Sequence, residues 1–335
     1  MTERLSHTER LQALIEGAKP DRPPVALWRH FYRDEDDLDR FVEAMVTWQK
    51  RFDWDFLKIN PRASYHYEPW GVTMRPSPDE LTKPERVVHP ISKPQDWARV
   101  VPLPVRHPVF DFQLRAISRI RRALPKPFRI VMTVFNPISV AGDMVPTNQI
   151  LIDHLRRAPE TVEWALTAIA STFADLVIEM RNAGADGIFY ATTQWASADR
   201  LTAEELQKYV LPFDRLVWNA AGDDAFNVLH VCETRIHLGE YREFPASLVN
   251  WDATDPSNPS LRDGHELLGC PVMGGIRHET DLVRDTPDQL KEKTVRLIAE
   301  HGDIPFAVGP GCAIPVTVPD ENVAAVREAV DAMGG

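Results

Sequence analysis

Apolar positions along the chain follow two alternating rhythms. Short, mostly apolar runs rich in β-branched residues read as strands. They fall at Val25–Trp28, Asp55–Asn60, Phe128–Val134, Gly187–Ala191, Asn227–Cys232, Ser247–Trp251, Pro271–Gly275 and Phe306–Val308. Between them lie stretches with apolar residues three and four apart, which read as amphipathic helices. These cover His7–Ile15, Leu38–Phe52, Phe110–Ala123, Asn148–His154, Pro159–Ala183, Ala203–Ala221, Ser260–Leu268, Pro287–His301 and Pro319–Met333. Strands alternating with helices imply a parallel sheet. Eight strands in a chain of 335 residues predict an α/β fold, a (β/α)8 TIM barrel over a single domain spanning 1–335. Residues 61–108 are proline-rich and aperiodic, so an insertion is expected after strand two. The alternative, an open doubly wound sheet, lacks support: no G-x-G-x-x-G turn and no P-loop is present.

Composition narrows the partners. The chain is 44% hydrophobic and 26% charged, enough for a large core, and its net charge is −11. An acidic surface disfavours nucleic acid and anionic membranes, so no nucleic acid or membrane is expected as partner. The polar opening Thr2-Glu3-Arg4-Leu5 carries no signal-peptide apolar region, and no uninterrupted apolar run reaches the length of a membrane span. Three cysteines, Cys232, Cys270 and Cys312, make no disulfide framework and fit a reducing cytoplasm. A monomer or homodimer is expected.

Candidate chemistry concentrates at the strand ends, where barrel enzymes place it. The strand Asn227–Cys232 ends on His230 and Cys232, which alternation puts on one face. The last strand runs into Gly309-Pro310-Gly311-Cys312. Two thiolates and an imidazole suit zinc and leave a fourth coordination position open. Cys270, on an apolar run, reads instead as a small core hydrophobe. Glu279 and Asp252 are candidates for an extra carboxylate ligand. Arg29, His30 and Arg33 follow strand one, Asn60 ends strand two, and Gln194 follows strand four. With Asp252 they form the expected substrate-binding set, the arginines facing an anionic group.

These residues resemble a family. Asp21-Arg22-Pro23-Pro24-Val25, Ala185-Asp186-Gly187, Trp195-Ala196 with Leu201–Pro212, and Cys312-Ala313-Ile314-Pro315 through Pro319-Asp320-Glu321-Asn322-Val323 resemble the uroporphyrinogen decarboxylase superfamily over residues 8–333. Its members are (β/α)8 barrels. Arg29 and Arg33 keep the spacing of the decarboxylases' Arg-x-x-x-Arg pair, but His30-Phe31-Tyr32 replaces their glycine-containing motif. The pyrrole-binding Asp expected after strand two has no counterpart in Phe56-Leu57-Lys58-Ile59-Asn60, and the C-terminal histidine is missing.

His230, Cys232 and Cys312 are similar to the His-x-Cys and distant Cys of the superfamily's zinc methyltransferases. Those enzymes move a methyl group from a methylated corrinoid protein to a thiol such as coenzyme M. The resemblance implies a zinc-dependent methyltransferase with His230, Cys232 and Cys312 as metal ligands and catalytic centre. It also implies a small-molecule thiol substrate and a corrinoid carried by a partner, since no Asp-x-His-x-x-Gly motif is found here. The alternatives are a carboxy-lyase acting on a carboxylated substrate, hydrolytic zinc chemistry, and a non-catalytic binder.

Overall fold

A computed structural model describes residues 4–334. In chain order the principal elements are α1 (His7–Ile15), α2 (Leu38–Phe52), β1 (Phe56–Ile59), β2 (Thr73–Arg75), β3 (Glu85–Val88), α3 (Pro108–Ala123) and β4 (Arg129–Phe135). There follow α4 (Pro137–Asp143), α5 (Asn148–Arg157), α6 (Pro159–Asn182), β5 (Gly187–Ala191), α7 (Ala203–Tyr209), α8 (Leu211–Asn219), β6 (Val228–His230) and β7 (Leu248–Asn250). The chain ends with α9 (Leu261–Leu268), β8 (Val272–Ile276), α10 (Asp281–Arg284), α11 (Pro287–His301), β9 (Phe306–Pro310) and α12 (Asp320–Ala332).

Seven strands form one parallel sheet in the order β1-β4-β5-β6-β7-β8-β9. All seven are almost wholly buried, as expected for strands covered on both faces. The predicted first strand is reduced to one bridge, Val25 with Val308. That short segment nevertheless touches both edges of the sheet. Val308 N donates to Pro24 O at 2.8 Å and Ala26 N to Val308 O at 3.3 Å, while Asp55 N donates to Val25 O at 3.0 Å. The sheet is therefore curled, with residues 24–26 between its edges.

Asp55 fixes this segment. Its carboxylate accepts from Val25 N, Arg22 Nη1 and Arg10 Nη1, each at 2.7 Å. His7 joins the same network, its ring nitrogens 3.0 Å from Asp55 and 2.9 Å from Asp53. These hydrogen bonds raise the His7 imidazole to about 9, Asp53 contributing most, against its partial burial.

Several elements differ from expectation. The single helix predicted over Ala203–Ala221 is broken at Val210, because Pro212 cannot donate the backbone hydrogen bond that would continue it. Residues 61–108, where an insertion is expected, hold the antiparallel pair β2–β3 and two 3-10 turns. Helix α4, which the pattern missed, is capped by Asn136, whose side chain accepts from Ser139 N. Helix α6, although its apolar run is interrupted by charges, is long and apolar enough to cross a membrane by length and composition. However, 56% of its most apolar window is buried, and Leu166, Ile169, Phe173 and Leu176 belong to the core.

Candidate metal centre and its cavity

The end of β6 carries the centre. His230 pairs with Asn250 on β7 in register, and Cys232 lies two residues further along the same face. Cys312 follows β9 through Gly311, where any Cβ would stand 2.6 Å from Asp252 Cγ. Only glycine permits the turn to pass that close and deliver Cys312 inward. The ligand atoms of His230, Cys232 and Cys312 all lie within 4.8 Å of one another. The two sulfurs are 3.7 Å apart and unbonded.

Hydrogen bonds fix the histidine. Asn250 Nδ2 donates to Met273 O and Pro310 O, each at 3.0 Å. Its Oδ1 must then be the acceptor facing His230 Nδ1, 2.7 Å away. The network thus assigns the proton to Nδ1 and leaves the Nε2 lone pair free for the cluster. Cys312 is held well below its usual range chiefly by the Cys232 hydrogen bond, against burial. Cys232 is pushed well above by the same hydrogen bond, then by burial and the Cys312 charge. Two adjacent thiolates repel, so removal of both protons needs a cation.

The cluster opens into a cavity of about 670 Å³ whose walls include Trp28, His30, Lys58, Asn60, Phe189 and Gln194. Three expected substrate residues, His30, Asn60 and Gln194, therefore share the cavity with the metal candidates. His30 Nδ1 bonds Glu35 at 2.7 Å, and Gln194 exchanges two hydrogen bonds with Asn148.

The arginines lie elsewhere. Arg29 sits over the rings of Phe31 and Trp48 and faces Asp320 at 3.6 Å. Arg33 is largely exposed and faces Glu80 at 3.7 Å. Neither lines the cavity, because the chain leaves the sheet after Ala26 and strand alternation no longer directs it. Asp252 turns back to accept from Thr254 N and Oγ1. Glu279 is exposed, and neither acid joins the cluster. Cys270 packs, partly buried, against the core.

Two important residues escaped sequence reasoning. Asn250 lies inside a predicted apolar strand, where a lone amide signals a buried hydrogen-bonding task. Lys58, which appeared only as a member of strand two, lines the cavity. Burial pushes its amine down to about 7, opposed by the charges of Cys312 and Glu35.

A curled parallel α/β sheet with a thiol–imidazole cluster and a cavity beside it defines an enzyme-type architecture. The chain belongs to the uroporphyrinogen decarboxylase (URO-D) family, whose pattern it matches over residues 6–333. It is similar in structure to a methyltransferase from Methanosarcina mazei, with a TM-score of 0.81 and 18% identity, covering 99% of this chain and 100% of that one. It also resembles a B12-independent methionine synthase from Shewanella sp. W3-18-1, solved in complex with selenomethionine. That match has a TM-score of 0.57 and 13% identity, covering 94% of each chain. At these identities the likeness concerns the fold. No curated protein matches the sequence.

Proposed function

We propose that the protein is a zinc-dependent methyltransferase that moves a methyl group from a methylated corrinoid to a thiol, on a single-domain (β/α)8 barrel in the cytoplasm. The corrinoid is carried by a partner protein. The observation that carries this reading is the geometry of the donor set. Two sulfurs bound to one tetrahedral zinc at 2.3 Å stand ~3.8 Å apart. The Cys232 and Cys312 sulfurs stand 3.7 Å apart, with one imidazole alongside. His230, Cys232 and Cys312 would hold the metal, and Asn250 orients His230 as a ligand's outer partner does.

Zinc there would hold the incoming thiol at its fourth position in the nucleophilic, deprotonated form. The chain supplies the rest. Cys232 and Cys312 bring negative charge that keeps the centre electron-rich, and His230 adds a neutral donor. Trp28 and Phe189 wall the cavity and limit water around the attacking sulfur.

A carboxy-lyase acting on a carboxylated substrate is the second reading, favoured by the buried Lys58 amine in the same cavity. Metal analysis separates the two. Protein purified without chelators is expected to hold one equivalent of zinc, and Cys232→Ala and Cys312→Ala to lose it while keeping the helical circular dichroism of the wild type. Wild-type protein that neither holds nor takes up zinc refutes the methyltransferase reading.

A further inference from the structure

Strand β1 puts Phe56, Lys58 and Asn60 on one face by alternation, and that face is the interior: Phe56 packs on Phe226, and Lys58 and Asn60 line the cavity. Lys58 is only 6% exposed. Its Nζ lies 5.4 Å from the Trp28 ring centroid and 4.5 Å from that of Phe189. Its one hydrogen-bond partner among the described residues is Asn60 Oδ1, although an ammonium carries three donors. The charges that oppose its burial are those of Cys312 first and then Glu35; Glu35 spends one oxygen on His30 Nδ1 and Phe31 N and forms no ion pair with Lys58 among the described residues.

Asn60 is 2% exposed. With its oxygen turned to Lys58, its Nδ2 faces away and finds no partner. A buried amine with donors unspent and a buried amide donor without an acceptor are both costly. Here they stand two residues apart on one cavity wall.

We propose that Lys58 and Asn60 form a carboxylate-binding subsite, so that the molecule alkylated at the neighbouring centre is a short carboxylated thiol. This rests on the thiol-alkylating reading of His230, Cys232 and Cys312. One carboxylate oxygen accepts from Lys58 Nζ and the other from Asn60 Nδ2. A sulfonate brings a third oxygen, which would face the Trp28 and Phe189 rings. The subsite and the centre meet at one aromatic ring: the Phe189 centroid is 4.5 Å from Lys58 Nζ and 5.3 Å from the centroid of the His230 ring. A chain of a few bonds therefore joins carboxylate to sulfur. The lysine replaces the strand-one arginines as the anion-reading group.

Calorimetry on the zinc-loaded protein tests this with four probes that share a two-carbon chain: 3-mercaptopropionate, 2-mercaptoethanesulfonate, 2-mercaptoethanol and cysteamine. The expected result is mercaptopropionate binding at least about tenfold tighter than mercaptoethanol, a difference of one charge-assisted contact. Cysteamine should bind weakest. Lys58→Met should bring the ratio close to one with zinc content and mercaptoethanol affinity unchanged. Asn60→Asp, which sets an acid against the lysine, should also abolish the preference.

Equal binding of all four probes, or a preference that survives both variants, overturns the subsite. Tighter binding of the sulfonate overturns the assignment to carboxylate. Propionate titrated into metal-free protein separates this proposal from the previous one. Lys58-dependent propionate binding without any zinc uptake refutes the zinc reading and keeps the subsite, whereas zinc uptake without carboxylate preference does the reverse.

Discussion

Asn250 offers the sharpest test of how the centre is built, because its two ends do different work. Its Oδ1 accepts the His230 Nδ1 proton, and its Nδ2 satisfies two buried carbonyls, Met273 O and Pro310 O. In Asn250→Leu both functions go. Losing the outer partner of a ligating histidine lowers metal affinity about 10- to 100-fold, or about 1.4–2.8 kcal/mol. Each carbonyl left without a donor costs about 1–3 kcal/mol of stability. Asn250→Asp separates the two effects. It keeps an acceptor for His230 but turns a carboxylate oxygen toward the carbonyls, so stability should fall while zinc affinity holds.

Zinc affinity by competition with a chelating dye, and unfolding of the metal-free protein in denaturant, give the two numbers independently. Zinc affinity falling equally in both variants would mean that the tautomer lock is not what Asn250 supplies. Unchanged affinity in Asn250→Leu would refute the argument outright.

Two further outcomes are expected. The folded-state value of His7, near 9 against 6.5, is raised, so its stabilisation is complete below pH 6.5 and is lost as pH rises through 9. Subtracting the pH–stability profile of His7→Gln from that of the wild type should isolate a decline over that window, and parallel profiles would exclude it. Uroporphyrinogen should not be decarboxylated with or without zinc, since Lys58 and Asn60 stand on the cavity wall where pyrrole N–H groups need an anionic acceptor; coproporphyrinogen formed at enzymatic rates would overturn that reading.

Much of this was legible because strand burial and helix periodicity leave direct traces. The bounds of α2 and α11 match their predicted ranges, since Asp37 and Thr286 cap them where the apolar period begins. His230, Cys232 and Cys312 were found through alternation and the strand-end rule. The same rule misled for Arg29 and Arg33, because it assumes a strand continuing to Trp28, and hydrogen bonding to the sheet stops at Ala26. Lys58 was visible as a residue but not as a buried one. Nothing in Phe56-Leu57-Lys58-Ile59-Asn60 alone says which of its two faces is interior; the packing of Phe56 on Phe226 decides it.

The centre also depends on the curvature of the sheet in a way no local motif can express. Strands β6 and β9 are separated by β7 and β8, and three inter-strand steps in a flat sheet amount to ~14 Å. The Cys232 and Cys312 sulfurs are 3.7 Å apart, so curling of the sheet brings the cluster together. One side chain bridges that curve. Asn250, on β7, bonds His230 of β6, Met273 O of β8 and Pro310 O of β9. Gly311 then lets the chain pass against Asp252 with no side chain between them. The approach of the two sulfurs is thus coupled to the closure of the sheet, and residues 24–26, which hold the two edges, bear on a cluster they do not touch.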